Sequence, residues 1–235
     1  MGIVFGFLCL IFFCVLSAKA ITRRCHWEKA DRFLMKFHKF ISGLMVISCF
    51  LHVIFVVPVL KNRSILVIIT GIASVIFMIL VICFCHMIKD KKKKIWWHRV
   101  LTIIMAICIA GHIVTWIVDF NDYQQKVSEI VIEDIELGNV KDGVYEGEYD
   151  VGYIYARVEV EIRNNEIVSI TLLEHRNERG KPAESILDEV VAKQKIDVDA
   201  VSGATNSSNV IRKAIENAVK NANAKNYNSV KAYEM

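Results

Sequence analysis

The chain has 235 residues, 54% of them hydrophobic, and carries 29 Lys and Arg against 25 Asp and Glu for a net charge of +4. The charge is unevenly spread: residues 1–119 hold 15 of the basic residues and 4 of the acids, leaving 14 and 21 to the remainder. A nucleic-acid partner is excluded, because the basic residues flank apolar stretches and nowhere build a separate basic domain.

Four apolar stretches dominate the first half, roughly Ile3 to Ala18, Ile41 to Leu60, Ser64 to Ile88 and Val100 to Val118. Each is long enough, or nearly so, to cross a bilayer as a helix. Residues 1–120 are therefore read as an α-helical membrane domain of four transmembrane helices. Ala18-Lys-Ala20 offers a small-residue cleavage site, and with it a signal-peptide reading of the first stretch. No basic segment precedes that stretch, and cleavage would leave three spans at odds with their basic loops. Four spans remain the expectation.

Seven Lys and Arg lie between the first and second spans (Lys19 to Lys39) and six between the third and fourth (Lys89 to Arg99), against two (Lys61, Arg63) between the second and third. By the positive-inside rule the two rich loops are cytoplasmic. The expectation is a multi-pass cell-membrane protein with an extracytoplasmic C-terminal domain. Trp96, Trp97 and Trp116 suit interfacial anchoring of the last span.

The second and fourth spans each hold two histidines 14 residues apart, His38 with His52 and His98 with His112. Fourteen steps of 100° fall within about 40° of four whole turns and rise about 21 Å, so each pair shares one helix face at two depths. Imidazole is a standard axial ligand for haem iron. His38 facing His98, and His52 facing His112, would hold two haem b groups. Gly43 and Gly111 would let a flat macrocycle approach. The spacing resembles diheme b-type cytochromes and ferric-reductase-like membrane domains in pattern. The plainer reading is that His38 and His98 are interfacial.

All seven cysteines fall at or before Cys108, without zinc-type or Cys-x-x-Cys spacing, and are read as packing groups. Beyond the last span, Val127, Ile130, Val131 and Ile135 recur at helical spacing, predicting a helical stalk over 121–138. Strands are expected at Val144 to Tyr149, Tyr153 to Arg163 and Ile167 to Glu174, with Asn164-Asn165 as a hairpin turn. A helix from Pro182 to about Lys193 follows. His175 is read as an exposed loop histidine. Residues 139–224 are predicted to form a small α+β domain with an antiparallel sheet, and 225–235 a polar tail.

Asp199-Ala-Val-Ser-Gly-Ala-Thr205-Asn-Ser-Ser208 precedes a helical pattern (Val210, Ile211, Ala214, Ile215, Ala218, Ala222) that Asn206 or Ser207 would cap. On its own the run reads equally as a loop and a cap. With Gly143 to Gly147 and Gln194 to Asp199 it resembles the flavinylation motif of the FMN-binding domain family, over about 80 residues. The resemblance implies FMN on Thr205 through a phosphoester bond, installed by a flavin transferase, with Asp199, Ser202, Gly203, Ala204 and Ser207 around it.

Together these readings predict a membrane flavocytochrome-like electron-transfer protein. A quinol or a reductase partner would supply electrons from the membrane or cytoplasmic side. They would pass through two bis-histidine haems to FMN, which would serve an extracytoplasmic acceptor, making the protein an electron carrier or an extracytoplasmic reductase. The alternative is a haem-free, membrane-anchored, FMN-bearing subunit of a larger redox complex.

Overall fold

The computed structural model describes residues 1–134 and 140–233, with side chains described through Ala222. The chain forms two compact units, Met1–Lys61 with Gly71–Ile109, and Asn62–Thr70 with Ala110–Met235.

Four long helices carry the first half: α1 (Gly2–Arg24), α2 (Glu28–Val56), α3 (Ile65–Met87) and α4 (Lys91–Ser128). All four are long and apolar enough to cross a membrane. Helices α1 and α4 extend past their apolar stretches at both ends and α2 at its start, while α3 falls just within its own, because only the turn at residues 25–27, Pro58 and residues 88–90 break the helical pattern. The His52 ring, near the end of α2, bonds the Gly2 carbonyl at the start of α1, so these two helices run antiparallel. Phe13, Met45 and Met105 centre a small buried cluster in the first unit. Most other apolar side chains there point outward, Phe50 with 65% of its surface exposed and Ile72 with 55%. Helices apolar all round in this way are suited to lipid.

The second unit contains a three-stranded antiparallel sheet in the order β1 (Gly143–Asp150), β2 (Tyr155–Arg163), β3 (Glu166–Arg176). Ala156, Val158, Val160 and Ile162 alternate onto one face and are fully buried, while the charged residues between them face outward. Asn164 and Asn165 adopt φ of 52° and 63°, the left-handed conformation of a two-residue hairpin loop.

Helix α6 (Thr205–Tyr233) covers the buried face with Val210, Ile211, Ala214, Ile215, Ala218 and Ala222, none of which retains exposure. Gly147 makes that contact close: a Cβ there would lie 2.2 Å from the Ala214 carbonyl oxygen. Asn217 and Asn221 then donate to the carbonyls of Glu148 and Glu146. Helix α5 (Ile186–Lys193) adds Ile186 and Val190 to the core. Pro182 opens a 3-10 turn over Lys181–Ser185, so the helix expected from Pro182 begins four residues later.

The predicted stalk differs. Helix α4 runs unbroken through Ser128, and the chain then leaves helical conformation at Glu129. Residues 130–134 form a strap whose polar groups are engaged elsewhere. The Glu133 amide donates to Glu216, the Val131 carbonyl accepts from Lys213, and Asp134 accepts from the amides of Ile196 and Asp197. Residues 135–138 of that expected stalk lie outside the described residues. Helix α6 continues through Tyr233, past the domain limit expected at residue 224.

Candidate functional site

The run from Asp199 to Ser208 forms a tight turn leading into α6. The Ala204 amide donates to the Val201 carbonyl at 3.0 Å, and Gly203 between them has φ of 78°. That conformation strains any side-chain-bearing residue, which explains glycine at this position. Ser208 locks the turn: its hydroxyl oxygen accepts from the Val201 amide at 3.0 Å and its proton goes to the Ala204 carbonyl at 3.1 Å.

Thr205 is the first residue of α6 and is exposed. The first amide groups of a helix have no partner within it, and the helix dipole adds positive potential there, so a phosphate on this hydroxyl would be favourably placed. Asp199, Ser202 and Gly203 share the surface position of Thr205, whereas Ala204 and Ser207 are buried beneath it.

Asn206 and Ser207 lie inside α6, not ahead of it, so neither caps it in the way expected, and tertiary contacts take both side chains. Asn206 donates to the Tyr123 hydroxyl at 2.8 Å. Ser207 packs so closely on Gly180 that a Cβ at that glycine would lie 1.8 Å from the serine hydroxyl.

Two further groups stand near the turn. His175 is buried, with its side chain 2% exposed, because β3 extends to Arg176 and pairs His175 with Ala156 on the core face. Its Nδ1 donates to Glu184 at 3.0 Å, and its Nε2 is buried without a partner among the described residues. The second group surrounds Tyr153, in the β1–β2 turn. The Tyr153 ring stacks on Tyr123 with centroids 4.6 Å apart, and the Arg63 guanidinium lies 3.6 Å above it. Arg63 is also paired with Glu178. Burial raises the Tyr153 pKa, Arg63 partly offsets this, and the neighbouring Asp119 carboxylate adds to it. Local sequence carries no sign of these roles, since Arg63 and Glu178 are 115 residues apart.

Residues 152–220 match the FMN-binding domain family. No curated protein and no solved structure matches the chain. The matched segment opens in the β1–β2 turn and ends within α6, so it includes Tyr153, His175, Gly180 and the whole turn from Asp199 to Ser208. Arg63 and Tyr123 lie outside it.

The first unit brings His38 and His98 together, with ring centroids 6.1 Å apart. Two imidazoles sharing one metal, each nitrogen about 2 Å from it, place their ring centres roughly 6 Å apart. The Thr102 hydroxyl donates to the His98 carbonyl at 2.6 Å, so it accepts from His98 Nδ1 at 3.0 Å. His52 Nδ1 lies 2.8 Å from the Gly2 carbonyl and, in the second unit, His112 Nδ1 lies 3.1 Å from the Val67 carbonyl. A carbonyl only accepts, so in both rings Nδ1 carries the proton and Nε2 the lone pair, the tautomer usual in metal-ligating histidines.

The cavity beside His38 and His98 measures about 110 Å³ and is lined by Ser42, Met45, Met78, Thr102 and Met105 among others. This is below the 300 Å³ or so at which ligand pockets begin, although a Cβ at Gly43 would meet nothing within 4 Å. The separation of the two rings is one that a shared metal would allow, but the cavity as it stands does not hold a porphyrin. Among the described residues, no three His, Cys, Asp or Glu side chains gather to hold a metal ion. Axial haem ligation asks for two.

Proposed function

We propose that this protein is a membrane-bound electron-transfer protein whose FMN-binding domain carries FMN covalently on Thr205. The observation that carries this reading is the exposed threonine hydroxyl at the start of α6, on a turn shaped by Gly203, within the matched FMN-binding domain. Exposure suits modification by a separate flavin transferase. Asp199 and Ser202 are exposed on the same turn, and the amides of the first turn of α6 stabilise the phosphate. Ala204, Ser207 and Ser208 hold the turn to the core.

In this reading the four helices span the membrane and the FMN-binding domain lies outside the cell. His38 and His98 hold one haem b, and His52 and His112 a second, on the strength of their sequence spacing. A quinol or reductase partner supplies electrons, which leave through the flavin to an external acceptor. Haem exchanges single electrons and FMN one or two, which suits FMN to a two-electron acceptor.

A second reading, favoured by the small cavity at His38 and His98, is a haem-free subunit that anchors covalent FMN to a larger redox complex. One preparation separates them. Full-length protein made with a flavin transferase is expected to show the FMN mass adduct, lost completely in Thr205→Ala; persistence of the adduct in that variant would sink the attachment assignment. Its absorption spectrum, oxidised and dithionite-reduced, is expected to show two b-type haems per chain, with His98→Ala losing one. A haem-free spectrum leaves the anchor reading standing.

A further inference from the structure

We propose that the buried polar atoms gathered around Tyr153 form the seat of the flavin ring system, an inference that rests on the reading of Thr205 as the attachment residue. Arg63 Nη1, Asp119 Oδ2 and the Tyr153 hydroxyl are all buried and none makes a hydrogen bond of normal length among the described residues, although the Tyr153 hydroxyl and the Asp119 carboxylate stand close enough to interact. The Arg63 side chain is 9% exposed and Tyr153 is 8% exposed. Leaving such groups unpaired costs roughly 1–3 kcal/mol each, and more where they are charged. Tyr153 and Asp119 partly answer one another, and the Arg63 nitrogen beside them leaves the cluster with a donor that a ligand would satisfy.

None of the three side chains is placed to turn away and find water. The second terminal nitrogen of Arg63 is tied to Glu178. The other oxygen of Asp119 accepts from the Ser64 amide at 3.3 Å, ahead of α3. Tyr153 carries the Arg63 guanidinium over its ring and stacks on Tyr123.

Two separate connections link this cluster to the attachment turn. Tyr123, stacked on Tyr153, accepts a hydrogen bond from Asn206, the residue after Thr205. Glu178, paired with Arg63, lies two residues before Gly180, on which Ser207 packs. The chemistry also matches. The pyrimidine edge of a flavin presents carbonyl oxygens and one ring N–H, and the cluster offers a guanidinium donor, a carboxylate acceptor and a hydroxyl that serves as either. A cation beside the ring favours added negative charge, so Arg63 would raise the flavin midpoint potential.

The test uses full-length protein in nanodiscs, flavinylated during expression, as wild type, Arg63→Met and Tyr153→Phe. Both variants are expected to keep the FMN mass adduct. Arg63→Met should raise flavin fluorescence at least about two-fold and shift the midpoint potential to more negative values, with a smaller shift in Tyr153→Phe. An intact adduct with unchanged fluorescence and potential in both variants overturns the seat. Tyr153→Phe removes a single oxygen and carries the test alone if Arg63→Met fails to fold. Should the wild type carry no adduct, the attachment reading fails separately, and free FMN becomes the probe. Quenching of FMN fluorescence by wild type that is weakened in the variants would sustain the seat, and equal quenching would overturn it.

Discussion

The two units reach order by different means. In the α+β domain, eleven core residues along β2 and α6 alone have no exposed surface, whereas the first unit buries Phe13, Met45 and Met105 and leaves most of its Ile, Val and Phe outward. The domain is a closed core whose backbone elements touch. The helices of the first unit leave their solvation to whatever surrounds them. Substitution should therefore be costly in the domain and mild on the helix surfaces.

The sharpest way to break that comparison is at glycines. Gly147→Ala would force a Cβ to within 2.2 Å of the Ala214 carbonyl oxygen and 2.3 Å of the Ala218 nitrogen, both backbone atoms that cannot rotate aside. A loss of about 3 kcal/mol is expected, toward the upper end for overpacking, read by denaturant unfolding of the full-length protein. A loss below about 1 kcal/mol would mean that β1 and α6 are less tightly joined than described.

Next in size is Glu216, fully buried on α6. It accepts from Lys213 at 2.7 Å, from Lys220 at 2.6 Å and from the Glu133 amide at 3.1 Å. Burial alone would raise its pKa, but these donors outweigh burial and hold it below the usual glutamate range. Asp134 is depressed in the same way, its burial outweighed by the Asp197 amide, Lys195 and the Ile196 amide. A group with a depressed folded-state pKa contributes stability above its unfolded pKa and loses it as pH falls through the folded value. The domain should accordingly weaken as pH drops below about 4.5. Glu216→Gln should cost about 2 kcal/mol at neutral pH and flatten the acid limb of the stability profile. An unaltered acid limb would show that the strap is held by other bonds.

The smallest effect is expected at Gly43, in α2, where a Cβ would meet nothing within 4 Å. Gly43→Ala should leave stability unchanged or raise it by up to about 1 kcal/mol, the difference in helix propensity. If the space beside Gly43 receives a porphyrin, the same variant should lower haem content without lowering stability. Unchanged haem content would place the macrocycle elsewhere.

Much of the domain was legible in the chain because its signals are periodic. The alternation from Ala156 to Ile162 and the stripe from Val210 to Ala222 state directly which faces are buried. The 14-residue spacing places each histidine pair on one helix face, whereas the approach of the His38 and His98 rings to 6.1 Å depends on how the helices pack. The stalk misled because Val127, Ile130 and Val131 do fall at helical spacing. Lys213, Glu216 and Asp134 then engage the polar groups of the strap, and those pairings depend on contacts more than 60 residues apart. His175 was misread through one fact, that β3 continues to Arg176 and sets its side chain under the helices. Arg63 offered no local signal, being one of two basic residues in a short loop.

The contact of Ser207 on Gly180 carries a consequence for biogenesis. The first turn of α6 is seated only when the loop around Gly180 has closed over it, since the two surfaces leave no room for so much as a methyl group. A transferase that recognises Thr205 on the finished turn would decline a chain whose loop had not closed. Flavin loading would then serve as a certificate of maturation, issued only to molecules that have completed their fold.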